Sequence, residues 1–258
     1  MTSHVSWEYP GTPGLGCNTM NPNDTINYLE FIKELRRLTP NLILVAIGNT
    51  QPFLDATGKP IADVSEFAKV LDWIEIEVDA FVPSSNSITG PIVPLNDSCS
   101  PYQNGSMVSA VASWTKAGLP ANQIVLALLT LGFRYSVPRS IAVSGDNQLQ
   151  IYVPFDKDNI PQGDAWWDDL IYVCEIPSRP NGVFDFWAIV GYGYLNSDGS
   201  VASGMLSTFD QCSQTVSTLL LGASTLFPLV FLFQPFLYDP QAEILVAYDD
   251  PMSFGASL

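Results

Sequence analysis

Two apolar runs constrain the fold of this chain more than any other feature of its sequence. Residues 41–48 (NLILVAIG) and 123–129 (QIVLALL) have the length of strands and contain no charged residue. A strand that is apolar at almost every position is covered on both faces, as in a parallel sheet flanked by helices. The two runs therefore predict an α/β fold.

Helical patterns lie between the predicted strands, at the spacing of βαβ units. Asn23 can cap a helix that Pro40 ends. The apolar positions of this helix recur every third residue: Ile26, Leu29, Ile32 and Leu35. A short helix is predicted over residues 65–71, and a longer one over 106–118, where a glycine ends it. The alternation of strand and helix supports a parallel sheet.

Two further predicted strands carry polar side chains. Residues 5–9 are strand-like up to Pro10, and residues 73–79 (WIEIEVD) alternate apolar and acidic side chains. Such alternation places the acids on one face, so the C-terminal end of the second strand is a candidate site. After residue 135 the pattern changes to short polar and aromatic pieces, which predicts an inserted antiparallel lobe up to about residue 204.

The charge balance excludes several classes of partner and site. The 258 residues include 26 acids and 10 bases, a formal net charge of −16, which is the wrong sign for binding nucleic acid. With His4 as the single histidine, histidine-based triads are nearly excluded. The acidic loop at 156–169 lacks the glycine and glutamate positions of an EF-hand. We therefore expect no cofactor and no metal site.

The sequons and the cysteines are relevant to the cellular compartment in which the protein folds. Three sequons begin at Asn23, Asn96 and Asn104, and they favour a secretory, oxidising route. The first residues lack the basic and apolar regions of a signal peptide, so none is predicted. Two disulfides and four free thiols both remain open for the four cysteines: Cys17, Cys99, Cys174 and Cys212.

Residues 6–10 (SWEYP), followed by residues 14–18 (GLGCN) and a helix, resemble the fungal chitinases of glycoside hydrolase family 18. Further segments match that family in its own order: 52–60, 67–74, 94–99, 121–125, 182–187 and 248–250. The resemblance covers nearly the whole chain. It implies a TIM (β/α)₈ barrel with an inserted α+β lobe and an active site at the carboxyl ends of the strands. It also implies chitin or chito-oligosaccharide as the ligand and an extracellular location.

The resemblance implies a mechanism from which this chain departs. Family members protonate the glycosidic oxygen with a glutamic acid, which maps onto Glu8, while the acetamido oxygen of the sugar attacks the anomeric carbon. In the family motif Asp-x-x-Asp-x-Asp-x-Glu, the aspartate positions hold Met1, His4 and Ser6. Loss of one preorganised electrostatic contact costs about 10²–10³ in rate. We therefore expect a weak chitinase or, alternatively, an inactive carbohydrate-binding relic.

Further sugar contacts are implied by the family match. Ser6 and Trp7 precede the acid. With one residue deleted, Asp79 matches the aspartate of a family Met-x-Tyr-Asp strand end whose Met and Tyr are absent here; an acidic strand end that faces solvent is the alternative. Independently of that match, Trp187 could stack on a sugar ring through its apolar face, with core packing as the alternative. Leu131 replaces a family tyrosine.

The matched strands correspond to the fourth to seventh strands of the family, which predicts an incomplete barrel of marginal stability. The predicted segments are a partial barrel, an inserted lobe and a C-terminal barrel remnant: 1–134, 135–204 and 205–258. In the remnant, residues 211–238 form a stretch of 28 residues without a charge. A membrane helix is disfavoured because Pro228 lies near the middle and the flanking residues are acidic. A buried strand pair is a second interpretation. We prefer a retained intron over 216–234, because its removal restores a family-like segment.

Overall fold

The computed structural model describes most of the chain, namely residues 2–14, 19–78, 86–98, 100–127, 131–163, 172–173, 176–177, 182–198, 200–208, 210, 213 and 236–248. The chain divides into two compact units. The first consists of Met1–Asp79 and Gly105–Leu128, and the second of Ala80–Asn104 and Leu129–Leu258. The segment boundaries predicted at 134 and 204 stay predictions, as does the incompleteness of the barrel.

A parallel sheet forms the centre of the first unit. Its four strands, in spatial order, are β1 (Thr2–Val5), β2 (Ile43–Gly48), β3 (Trp73–Glu77) and β4 (Ile124–Ala127). Val5 pairs with Ala46 at one end of the sheet, and Glu77 pairs with Ala127. The carboxyl ends of the strands therefore meet at one edge. The parallel sheet predicted from the apolar runs is confirmed.

The first strand ends earlier than its sequence predicts. A strand was expected over residues 5–9, but β1 ends at Val5 and the following residues form a loop. The backbone turns there because the N–H and the hydroxyl of Thr12 both donate to the carbonyl of Tyr9. A side chain that bonds to the local backbone in this way competes with extended structure. Glu8 consequently lies just beyond the carboxyl end of β1 rather than within it.

Three helices connect these strands: α1 (Asp24–Leu38), α2 (Ser65–Ala68) and α3 (Met107–Lys116). Asn23 occupies the N-cap position of α1 as predicted, but its side chain makes no capping hydrogen bond. Helix α2 ends at Ala68 and is shorter than the predicted 65–71; in the turn that follows it, the N–H groups of Val70 and Leu71 both donate to the carbonyl of Phe67. In α3, Ser106 provides a capping box, which satisfies N–H groups that would otherwise lack a partner.

One face of the parallel sheet forms the core of the first unit. Leu44 and Ile74 are fully buried there, whereas Glu75, the next residue along β3, is only half-buried. Trp114 of α3 is fully buried and lies against Gly48, where a Cβ would come within 2.8 Å of the indole ring. Burial of a side chain of this size stabilises the fold by about 1.5–3 kcal/mol. The core thus fixes the strands and leaves the acids of β3 on the opposite face.

The second unit contains an antiparallel sheet, as predicted for the later part of the chain. Its strands and helices are β5 (Leu131–Ser136), α4 (Arg139–Ala142), β6 (Tyr172–Val173), β7 (Ile176–Pro177), β8 (Val183–Asp185), α5 (Phe186–Gly191), β9 (Leu206–Thr208), β10 (Phe236–Asp239) and β11 (Ile244–Tyr248). Five strands pair in the order β8-β5-β11-β10-β9, and β6 pairs with β7. Leu237 and Val246 pack against Phe184 and Ile189 in its core.

Several predictions concern residues outside the described ranges. These are Met1, Asp79, the apolar segment 216–234 and the four cysteines Cys17, Cys99, Cys174 and Cys212. Trp187 belongs to α5, but its side chain also lies outside the described part. Within the described ranges, no helix combines the length and the apolar character needed to cross a membrane.

Candidate functional site

A surface cavity of about 540 Å³ opens beside the loop that follows β1. Its lining consists of Ser6, Trp7, Glu8, Thr12, Pro13, Gly14, Thr19 and Asp24. The cavity therefore brings together three of the predicted site residues, Ser6, Trp7 and Glu8. Sequence reasoning did not identify Asp24, which reaches the same cavity from the first turn of α1.

A compact turn holds the loop that carries Glu8. The N–H of Tyr9 donates to the hydroxyl oxygen of Thr12 at 3.0 Å, and that hydroxyl donates to the Tyr9 carbonyl at 2.8 Å. Gly11 has a φ of 79° and lies so close to Leu54 that a Cβ would be 3.0 Å from the Leu54 carbonyl oxygen. Glycine is the residue that adopts this conformation without strain. The turn and this close approach fix the backbone immediately after Glu8.

The carboxyl group of Glu8 is available to a ligand. Its side chain is exposed, and among the described residues it has no hydrogen-bond or ion-pair partner. Ser6, two residues earlier, is also exposed and also has no hydrogen bond within those ranges. Because residue 6 is a serine, Glu8 has no carboxylate two residues before it, where the family motif has an aspartate.

Trp7 is fixed along one edge and remains partly open to solvent. Its side chain is 37% exposed, and its ring meets the ring of Tyr28 edge to face with centroids 5.4 Å apart. Tyr28 is buried and donates its hydroxyl to the Val5 carbonyl at 2.9 Å. Burial raises the pKa of Tyr28, so this hydroxyl keeps its proton. The core of the unit thus supports an aromatic surface at the cavity.

Two polar pairs link the start of the chain to the acidic row of β3. His4 Nδ1 lies 3.4 Å from Glu75 Oε2, and the Tyr9 hydroxyl donates to Glu77 Oε2 at 2.8 Å. The alternation in residues 73–79 predicted acids on one face of β3, and Glu75 and Glu77 are half-buried there. Their partners were not predicted, because they depend on the spatial order of the strands.

The predicted sequons differ in their surroundings. Asn23 is exposed. Asn96 is half-buried, and its side-chain oxygen accepts a hydrogen bond from the N–H of Ser98. Asn104 is exposed and donates its amide to Asn86. Glycosylation at all three stays a prediction.

Comparisons with known proteins identify the family. The model of the glycosyl hydrolases family 18 matches residues 4–257. The chain belongs to this family. Two relatives named chitinase-like effector, from Moniliophthora perniciosa and Moniliophthora roreri, are each 39% identical to it. The matches cover 97% and 96% of this chain but 54% and 57% of those proteins. The chain therefore spans about half the length of the curated relatives it matches.

Solved chitinases share the fold of this family 18 chain. A chitinase from Rhizomucor miehei superposes with a TM-score of 0.75 at 25% identity, covering 97% of this chain and 62% of that one. A Bacillus thuringiensis chitinase superposes with a TM-score of 0.66 at 16% identity, covering 98% and 36%. In barrels of this type, sites lie at the carboxyl ends of the strands. The cavity at Glu8 lies at that edge of the parallel sheet.

Proposed function

We propose that this chain binds chitin or chito-oligosaccharide in the cavity at Glu8 and hydrolyses it weakly or not at all. The observation that carries the proposal is Ser6, which lines the cavity beside Glu8 where the family mechanism calls for a carboxylate. That carboxylate orients the acetamido group and stabilises the positive charge of the intermediate. A serine hydroxyl can form a hydrogen bond but carries no charge.

The remaining lining suits a sugar. Trp7 offers an aromatic surface held by Tyr28, and aromatic faces pack against the apolar faces of pyranose rings. Ser6 and Thr19 supply hydroxyl groups that can donate or accept hydrogen bonds. The name of the two relatives, chitinase-like effector, does not specify hydrolysis and supports a function in binding.

Hydrolysis by the substrate-assisted, retaining mechanism is the second candidate function. It is favoured by Glu8, which lines the cavity with a carboxyl group that no described residue engages. In that mechanism Glu8 donates a proton to the glycosidic oxygen, and the acetamido oxygen of the substrate takes the place of a protein nucleophile.

Two measurements separate these functions. Calorimetry with chitotetraose tests binding, and release of the chromophore from a chromogenic chitobioside tests hydrolysis. We expect saturable binding and a hydrolysis rate close to the rate without protein. Ser6→Asp should raise the rate by about 10²-fold if the missing carboxylate is what limits turnover. The gain should disappear in Ser6→Asp/Glu8→Gln.

Ser87→Asp is the matched control, because it adds the same charge at an exposed serine outside the cavity lining. Absence of chitotetraose binding would contradict the proposed function. Rapid hydrolysis by the unmodified chain, abolished by Glu8→Gln, would establish the second candidate instead.

An extracellular location is part of the proposal, since chitin is an external polymer and three sequons are present. Immunodetection of the native protein in culture medium and in washed cells tests it. A protein confined to the cells would contradict this location.

A further inference from the structure

We propose that the cavity at Glu8 selects chito-oligosaccharides with free amino groups, from partly de-N-acetylated chitin, over fully acetylated oligomers. The inference deepens the proposed function and rests on it: the cavity is taken as the sugar site because of its position, its exposed tryptophan and the family of the chain. The charges in its lining then decide which sugar it prefers.

The lining is acidic and contains no base. Of its eight residues, Glu8 and Asp24 carry carboxyl groups, and none is a lysine, arginine or histidine. Oδ2 of Asp24 accepts a hydrogen bond from the N–H of Asn21 at 2.9 Å, and its other oxygen has no partner among the described residues. Both acids can therefore meet a cation in the cavity.

On β1 and α1, the features that could offset these charges do so weakly. The N-terminus of α1 would by itself favour anions, but Asp24 in its first turn opposes that field. The first base of α1 is Lys33, nine residues further on and thus about 13 Å along the axis, and it is paired with Glu30. This separation exceeds the Debye length of about 8 Å in physiological salt. His4 is engaged by Glu75.

Recognition of the acetyl group is weakened at the same place. A neutral acetamido group gains from a carboxylate that accepts its N–H, and Ser6 stands where the family has that carboxylate. A protonated amino group needs no such acceptor, because it gains from any carboxylate near it. The partly exposed ring of Trp7 adds a surface over which an ammonium group is stabilised. The replacement at residue 6 and the two remaining acids therefore favour the same ligand.

The test compares two oligosaccharides of equal length, the tetramer of N-acetylglucosamine and the tetramer of glucosamine, by calorimetry at about pH 6. At that pH a sugar amine that titrates near the value of an α-amino group, about 8, is largely protonated. We expect the glucosamine tetramer to bind about three- to tenfold more tightly, from one or two partly exposed charge pairs. The advantage should shrink strongly in about 1 M salt, where the Debye length falls to about 3 Å.

Paired variants separate the cavity from the general negative charge of the chain. Glu8→Gln/Asp24→Asn removes both cavity charges, and the asparagine can still accept the hydrogen bond from Asn21. Glu34→Gln/Glu66→Gln is the matched control, because it removes two exposed carboxylates of the same unit outside the cavity lining. The advantage of the glucosamine tetramer should disappear in the first variant and persist in the second.

Each other outcome overturns the inference in an identifiable way. Equal binding of the two tetramers, or tighter binding of the acetylated one, overturns the preference and leaves the proposed function standing. An advantage that persists in the cavity variant, or falls equally in the control, shows general attraction to an acidic protein and also overturns it. If neither tetramer binds, the proposed function itself fails, and this inference fails with it.

Discussion

The hydroxyl of Tyr28 should stabilise the end of β1, and Tyr28→Phe tests that role. The substitution keeps the ring, which contacts Trp7, Phe53 and Phe67 at centroid distances of 5.4, 5.7 and 6.0 Å. It removes only the 2.9 Å hydrogen bond to the Val5 carbonyl. A net loss of about 0.5–1.5 kcal/mol is typical of one intramolecular hydrogen bond, and an acceptor left unsatisfied in the interior costs about 1–3 kcal/mol. Because Val5 is half-buried, we expect about 1–1.5 kcal/mol.

The assay is urea unfolding followed by tryptophan fluorescence. With an m-value of about 2–3 kcal/mol/M, the expected loss lowers the midpoint by about 0.3–0.8 M. Chitotetraose affinity should change less than twofold, because the edge contact between residue 28 and Trp7 remains. Tyr28→Leu removes that ring as well, and we expect a larger loss of about 2–4 kcal/mol together with weaker binding.

Tyr102→Phe is the matched control, since Tyr102 is 42% exposed and substitutions at such positions usually change stability by less than about 0.5 kcal/mol. If Tyr28→Phe lowers the midpoint no more than Tyr102→Phe does, the hydrogen bond to Val5 does not stabilise β1 and the reasoning is refuted.

Two further predictions concern the turn after Glu8 and the buried tyrosines. Gly11→Ala should cost about 1–2 kcal/mol and weaken oligosaccharide binding, because the left-handed conformation is strained for alanine and its Cβ would meet Leu54 at 3.0 Å. Gly58→Ala is the control, because Gly58 also has a positive φ but has no atom within 4 Å of the added Cβ. Equal loss of binding in both variants would contradict a role for the Leu54 contact. Burial raises the pKa of Tyr28 and Tyr135, and it raises the pKa of Tyr238 to about 12. The stability that these neutral phenols contribute is complete below about pH 10, the pKa of an unfolded tyrosine. It is lost as the pH rises through the pKa values of the folded state. Urea midpoints at about pH 8 and about pH 11 should therefore fall as phenolate absorbance rises, and an unchanged midpoint at the higher pH would be inconsistent with this linkage.

The sequence predicted the parallel sheet because its signals are local. Residues 41–48 are apolar at almost every position, and β2 occupies Ile43–Gly48. Alternation in residues 73–79 likewise predicted β3 and the face on which its acids lie. These patterns reflect whether one or both faces of a strand are buried, and they can be read directly from the sequence.

The details of the site could not be predicted in the same way. Residues 5–9 have a strand-like pattern, but the Thr12 side chain closes a turn on Tyr9 and β1 ends at Val5. The contact between Tyr9 and Glu77 joins residues 68 positions apart, and it arises only once the order of the strands is known. Asp24 reads in the sequence as a helix-start residue, and its place in the cavity depends on the path of the preceding loop.

The geometry at Glu8 gives a physical reason for the proposed function, in which sugar binding persists and turnover is weak or absent. Groups that contact a ligand equally in its ground state and its transition state give affinity, whereas only groups that interact more strongly in the transition state give rate. In the proposed complex, Trp7 and the hydroxyls of Ser6 and Thr19 belong to the first kind. The family aspartate, replaced here by Ser6, gives some affinity through the acetamido N–H, but its larger effect is of the second kind, because the positive charge that it stabilises exists only during the reaction. Replacement of that side chain should therefore lower the rate far more than the affinity, which is the physical basis of the proposed binding of chitin fragments with weak or no hydrolysis.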